Sequence, residues 1–218
     1  VDCVSHERIY QHIWLDKKKG GSLYKHLRTK GKKYRKRSSA KDRRGIKKNA
    51  KSIDERPSIV EERARPGDIE IDLVMGANHK NAILTMNVRY LGMVKIVKVS
   101  SKESEAVKDA IIRSINSWKP FLKTITSDNG KEFACHEMIS EELGIPYYFA
   151  HPYCSWERGS NENINGLIRQ YFPKKTNFEN VSNEEIKLVE KKLNDRPRKR
   201  FNFATPNEKF IQEVAFMT

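Results

Sequence analysis

Two acids in this chain stand where strand-like runs would deliver them. Asp72 lies inside "DIEIDLVMG", residues 68–76, and Asp128 closes "FLKTITSD", residues 121–128. In the first run Asp68, Glu70 and Asp72 alternate with Ile69, Ile71 and Leu73. Period two therefore puts the acids on one sheet face and the aliphatics on the other. A satisfied, solvated sheet face is the plain alternative for these acids, and Asp68 and Glu70 are assigned no catalytic role. Asp72 is harder to dismiss, because Leu73 and Val74 follow it and a charge deep in a strand needs a reason. Asp128 opens the tripeptide "DNG", ordinary turn material on its own. If the two strands are neighbours, however, the two carboxylates converge. They then repel unless protonated or bridged by a cation. Glu162, in "NENINGLIRQYF", is the natural third acid, with Glu157 as its rival. Glu157 precedes Gly159 in an expected loop. Glu162 sits in the first turn of an expected helix, with Asn165, Gly166 and Arg169 on its face at spacings of three, four and seven. Three carboxylates and water suit Mg²⁺, with Mn²⁺ as a substitute, and two such ions can serve in-line displacement at phosphorus.

The elements that must position these acids follow from periodicity. Residues 68–76, 81–89 and 93–100 read as three short strands separated by turn-length gaps, hence an antiparallel meander. Helical spacing of Val107, Ile111, Ile115 and Trp118 predicts a helix after them, with Ser100 and Glu103 as a capping box. A fourth strand at 121–128, a helix at 131–143 and a fifth strand at 144–151 follow. Two more helices come after it, at 160–172 and 182–196, the second opened by a capping box of Ser182 and Glu185. The order βββ-α-β-α-β-α-α predicts an α/β fold, a mixed five-stranded sheet flanked by helices. Near the start, "SHERIYQHIWL" reads as a short helix capped by Ser5.

The net charge of +15 is carried by one segment. Between Lys17 and Lys51 stand 17 Lys or Arg and one acid, Asp42, while the remainder is close to neutral. That block includes Lys33, Arg35, Lys36, Arg37, Arg43 and Arg44. It lacks the apolar residues for a core and carries no amphipathic stripe, which favours nucleic acid over a membrane surface. No apolar run is long enough to span a bilayer, and no signal peptide is read at the start. Val1 in place of Met suggests a fragment. Three cysteines without a CxxC pair favour a reducing, cytoplasmic setting. Cys135, His136, His151 and Cys154 suggest zinc only weakly, since paired short spacings are missing.

The blocks "PGDIEIDLVMG", "LKTITSDNGKEF", "HPYCSWERGSNENINGLIRQYFPK" and "LNDRPRKRFNFATPNEKF" resemble the catalytic domain of insertion-sequence-thirty family transposases. These belong with the DDE transposases and retroviral integrases of ribonuclease-H-like fold. "VSHERIYQHIW" resembles the end of that family's N-terminal DNA-binding region. The resemblance implies three parts: a helix-turn-helix remnant at 1–16, a basic linker at 17–57 and a catalytic domain at 58–218. It implies Asp72, Asp128 and Glu162 as the catalytic and metal-binding triad. Arg158 and Arg169 are then DNA contacts near the metal, and Lys131 either touches a phosphate or caps a helix. It also implies a bacterial, DNA-associated enzyme that assembles as a homo-oligomer on transposon terminal repeats and joins them to target DNA. A nuclease without strand transfer and a non-catalytic DNA-binding fragment remain the alternatives.

Overall fold

The computed structural model describes residues 4–28, 47–77, 81–152 and 154–215. Lys33, Arg35, Lys36, Arg37, Arg43 and Arg44 lie outside the described residues. The chain divides into two compact units, 1–41 and 42–218. In the first, helix α1 (His6–Lys18) begins where expected, the Ser5 hydroxyl accepting from the Arg8 N–H at 3.3 Å. A 3₁₀ turn, Leu23–His26, folds back on the end of α1, the Leu23 N–H donating to Asp16 Oδ2 at 3.0 Å. Lys17 lies over the rings of both Trp14 and Tyr24.

The second unit is a six-stranded mixed sheet flanked by helices. Its strands are β1 (Lys51–Ser52), β2 (Asp68–Met75), β3 (Ala82–Val88), β4 (Met93–Val99), β5 (Thr124–Ser127) and β6 (Tyr147–Phe149), in the spatial order β1-β6-β5-β2-β3-β4. The meander β2–β3–β4 is antiparallel, whereas β2–β5, β5–β6 and β1–β6 are parallel. All five expected strands are present. The sixth, β1, has two residues and no apolar alternation, so nothing in the sequence marked it. It lies inside the stretch expected as a linker.

Helices cover both sheet faces. Ile69 and Ile71 of β2 point into a core shared with α3 (Ser104–Ile115) and α4 (His136–Leu143), through Val107, Ile111 and Ile139. Val74, from the opposite face, packs with Ile164 and Ile168 of α5 (Gly159–Tyr171) and with Ile186 and Val189 of α6 (Asn183–Asn194). The short helix α2 (Ile59–Glu62) and a last helix α7 (Pro206–Ala215) complete the unit. The capping box of Ser182 and Glu185 forms as expected. That of Ser100 and Glu103 does not. Glu103 keeps an extended backbone and is itself the N-cap, and its N–H is accepted by the Ser101 hydroxyl at 3.1 Å.

The outer edge of β4 is occupied by α6. The Asn194 side chain both accepts from the Val94 N–H (2.9 Å) and donates to the Val94 carbonyl (2.8 Å). Glu190 accepts from the Ile96 N–H at 2.6 Å.

Candidate active site

The face of β2 that carries Asp68, Glu70 and Asp72 is not solvated. It is covered by the start of α5, and each acid has acquired partners. Asp68 accepts from Arg65 Nε (2.9 Å) and from the Thr124 hydroxyl (2.8 Å). Glu70, fully buried, pairs with Arg89 and accepts the Asn161 N–H of α5 at 3.2 Å. Arg89 also reaches Glu61 at 3.0 Å, and Glu61 in turn pairs with Arg56. Burial pushes the Arg89 guanidinium down to about 10 despite the Glu61 charge beside it. A buried ion pair of this sort is costly to break, because the surviving partner is left uncompensated. The network therefore fixes where α5 begins.

Asp72 and Asp128 are brought together by the parallel pairing of β2 with β5. Their carboxylates share one guanidinium, that of Arg158, 3.6 Å from Asp72 Oδ2 and 3.7 Å from Asp128 Oδ2. Asp72 Oδ1 accepts from the Leu73 N–H (2.9 Å) and Oδ2 from the Asn165 amide (2.8 Å). Asp128 Oδ1 accepts from the Gly130 N–H at 2.8 Å, so the expected turn exists and holds the acid. Burial pushes the Asp72 carboxyl up to about 6, with Asp128 adding to the rise and Arg158 opposing it. Two carboxylates crowded in this way want a cation.

Arg158 supplies that charge, beside the acids as expected. It is 9% exposed and faces the acids, not the surface, because two converging carboxylates attract it inward. Its Nε and Nη1 are buried without hydrogen-bond partners. Arg169 is half-buried, donating to the carbonyls of Met75 (2.7 Å) and Pro173 (3.3 Å). Lys131 is exposed in the 3₁₀ turn after Gly130. Glu162 is in the first turn of α5, as expected, and exposed. Among the described residues no three His, Cys, Asp or Glu side chains gather closely enough to hold a metal ion, so Glu162 does not close on the pair here. The donor chemistry of Asp72 and Asp128 nonetheless fits a hard divalent cation, since both are oxygen ligands with lone pairs to spare.

The cysteine and histidine cluster is dispersed. His136 is buried against the rings of Tyr147 and Phe149, and Cys135 donates to Glu105 at 3.2 Å. Tyr147, Tyr148 and Phe149 are packed in the sheet, whereas Trp156 is 73% exposed. His151 sits between two carboxylates, Nδ1 at 2.8 Å from Glu157 and Nε2 at 2.9 Å from Asp54. Its pKa is raised, first by the hydrogen bond to Glu157. Such a contact is fully present below the ordinary histidine pKa and is lost as pH rises through the raised one. His151→Gln should thus lower the melting temperature at pH 6 and leave it unchanged at pH 9. An equal difference at both pH values would show that the contact does not titrate.

Asn165 was legible as a residue sharing a face with Glu162, but not as the donor that holds Asp72. Arg89 gave no local signal, because Glu61 and Glu70 are distant in sequence, and nothing near Arg56 pointed to its distant partner Thr126.

No protein-family model matches the chain. It is 54% identical over 214 residues, 98% of its length, to the transposase for insertion sequence element IS4351 of Bacteroides fragilis. Over 217 residues it is 36% identical to the transposase for insertion sequence element IS1086 of Cupriavidus metallidurans. Over 168 residues it is 39% identical to transposase InsI for insertion sequence element IS30A of Escherichia coli K12. The chain belongs to this insertion-sequence-thirty transposase family. It spans 66% of the length of the Bacteroides transposase, 63% of the Cupriavidus one and 44% of the Escherichia one. Among solved structures it resembles the catalytic core domain of BIV integrase, with a TM-score of 0.54 and 18% identity over 69% of this chain and 97% of that one. A simian T-cell lymphotropic virus intasome with PP2A regulatory subunit B56 gamma gives 0.54 and 16%, over 65% and 53%. These likenesses establish the ribonuclease-H-like fold of an integrase catalytic core. Asp72 and Asp128 of this transposase-family chain thus stand on adjacent strands of that fold.

Proposed function

We propose that this chain is the catalytic part of a bacterial DNA transposase that hydrolyses a phosphodiester at each transposon end and transfers the freed 3′-hydroxyl to target DNA. One observation carries the reading: two carboxylates, Asp72 and Asp128, converge across β2 and β5 and share a buried, under-bonded guanidinium. The names of the transposase relatives support the substrate class. A divalent cation held by Asp72, Asp128 and Glu162, Mg²⁺ with Mn²⁺ as a substitute, would supply Lewis-acid polarisation and a more acidic water.

The residues of the chain do the rest. The Leu73 N–H and Asn165 orient Asp72, and the Gly130 N–H orients Asp128, so neither carboxylate has to reorganise during reaction. Arg158 offers its unspent Nε donor to an entering phosphate. Arg169, anchored at the end of β2, and Lys131, exposed beside Asp128, line up as outer phosphate contacts. Glu162 completes the acidic set by a swing of its side chain. No covalent enzyme intermediate is required, because water and then the 3′-hydroxyl are the nucleophiles.

The domain reading is also a proposal. Residues 1–16 end a helix-turn-helix unit, the basic stretch up to residue 57 tethers it and binds backbone phosphates, and the protein works in the cytoplasm as a homo-oligomer on DNA. Among the described residues no helix is long and apolar enough to cross a membrane. Deleting Lys17 to Lys51 should weaken binding to every DNA sequence alike and flatten its salt dependence, each lost phosphate contact removing about 0.9 from the log–log slope. Identical slopes for truncated and parent chains would mark the stretch as a passive tether. The deciding experiment incubates the full protein with labelled transposon-end DNA, target DNA and Mg²⁺. Joined products are expected; cleaved ends that never join would leave a nuclease.

A further inference from the structure

Beside the start of α5 lies a cavity of about 420 Å³ whose walls are basic. Arg63, which follows α2, Arg89 at the end of β3, and Arg198 and Arg200 in the loop after α6 all line it, together with Gly159 and Ser160 at the start of α5. Among the described residues no carboxylate pairs with Arg63, Arg198 or Arg200, whereas Arg89 is spoken for by Glu61 and Glu70. Arg198 is held in place by donating to the Leu193 carbonyl at 3.1 Å, yet its Nε is buried with no partner. The end of the Arg200 side chain passes over Gly92, whose φ is +61°. A Cβ there would lie 2.6 Å from the Arg200 guanidinium.

The charges in this cavity oppose one another. Burial, then the neighbouring Arg63 and Arg198, push the Arg200 guanidinium below its ordinary range, and burial, then Arg196, does the same for Arg198. α5 is 13 residues long and begins without a side-chain cap, so the positive end of its dipole adds to the field. Asn87, 1% exposed, lines the same cavity, and its Oδ1 has no hydrogen-bond partner. The amide NH2 of this side chain is the group that can serve an anion.

We infer that this cavity seats a backbone phosphate of the DNA strand that crosses the start of α5. The inference rests on the proposed action on DNA and adds a clamp remote from the acids. Asn87 pairs with Glu70, two residues before Asp72 on β2, so this wall of the cavity lies roughly 7 Å along the strand from the level of Asp72. Phosphates recur about every 3.4 Å of axis on one strand, which places the two sites within a few nucleotides of each other. Because the same turn of α5 carries Glu162, a phosphate gripped here also steadies the turn that must present that acid.

The test uses the full chain with Arg63→Gln and Arg200→Gln combined, two changes that leave the structural bonds of Arg89 and Arg198 intact. Binding to end DNA is titrated against salt in metal-free buffer. The expected result is a slope smaller by about 1 and affinity lower by about an order of magnitude for any sequence. The double variant should melt no lower than the parent without DNA, since like charges have been removed, and Arg63→Lys with Arg200→Lys should restore most of the slope. An unchanged slope overturns the inference while leaving the reading of Asp72 and Asp128 standing. A chain that binds no DNA at all overturns both. Pyrophosphate serves as the free-phosphate arm: if it raises the parent's melting temperature but not the variant's, while the DNA slope is unchanged, the cavity takes free phosphates and the DNA assignment falls.

Discussion

Asp72→Asn and Asp128→Asn should each abolish metal-dependent cleavage of transposon-end DNA, by more than about a hundredfold, while DNA affinity is kept or slightly raised. Asn matches Asp in shape, so the loss would be one of charge and ligand chemistry, not of packing. At position 72 the Leu73 N–H retains a carbonyl acceptor, and Asn165 can answer by turning its amide over. The substitution also removes a charge that burial and Asp128 disfavour. The melting temperature in metal-free buffer should therefore stay level or rise. That combination, a dead but equally stable protein that still binds DNA, separates catalysis from scaffolding. Cleavage near the parent rate by either variant would refute the assignment, and loss of cleavage with a collapsed melting temperature would leave only a structural role.

Glu162→Gln should be inactive, and Glu157→Gln should keep most of its cleavage activity, in the same Mg²⁺ assay. Glu157 is already committed: both of its oxygens meet His151, one at the backbone N–H (2.8 Å) and one at the ring (2.8 Å). A carboxylate tied in this way cannot also reach a cation near Asp72. Glu162 stands on the first turn of a helix anchored through the Asn161 N–H to buried Glu70, which limits how far that turn can stray. A misplacement of about 1 Å can cost a hundredfold in rate, so an acid on a fixed turn is the better ligand. Activity lost in Glu157→Gln and retained in Glu162→Gln would reverse the choice.

The parts of this fold that were legible in the sequence are those set by local periodicity. Alternation in residues 68–76 put Asp72 on a strand, the turn chemistry of Asn129 and Gly130 ended β5 at Asp128, and Ser182 with Glu185 marked the start of α6. What was not legible depends on distant partners. A strand of two residues, Lys51–Ser52, has no period to detect, and it exists because β6 offers it an edge. Arg158 was expected as a DNA contact near the metal only through the family resemblance, and nothing local places it between the two acids. Only the pairing of β2 with β5 creates the two charges that draw it inward. The basic cavity was likewise invisible, since Arg63, Arg89 and Arg200 meet only after the sheet, α2 and the loop after α6 have assembled. Glu162 was found by its place on a helix, yet its approach to the other acids is a matter of side-chain reach that spacing does not specify.

The side chains of Asn194 and Glu190 along β4 have a consequence for assembly. An edge strand whose N–H and C=O groups are free is an invitation to another chain, in ordered oligomers and in aggregates alike. Here those groups at Val94, and the N–H at Ile96, are already answered by α6, and the opposite edge is a strand only two residues long. Neighbouring copies thus gain little by extending the sheet. Association through these two edges is thereby disfavoured, which leaves helix faces and loops for any contact between copies.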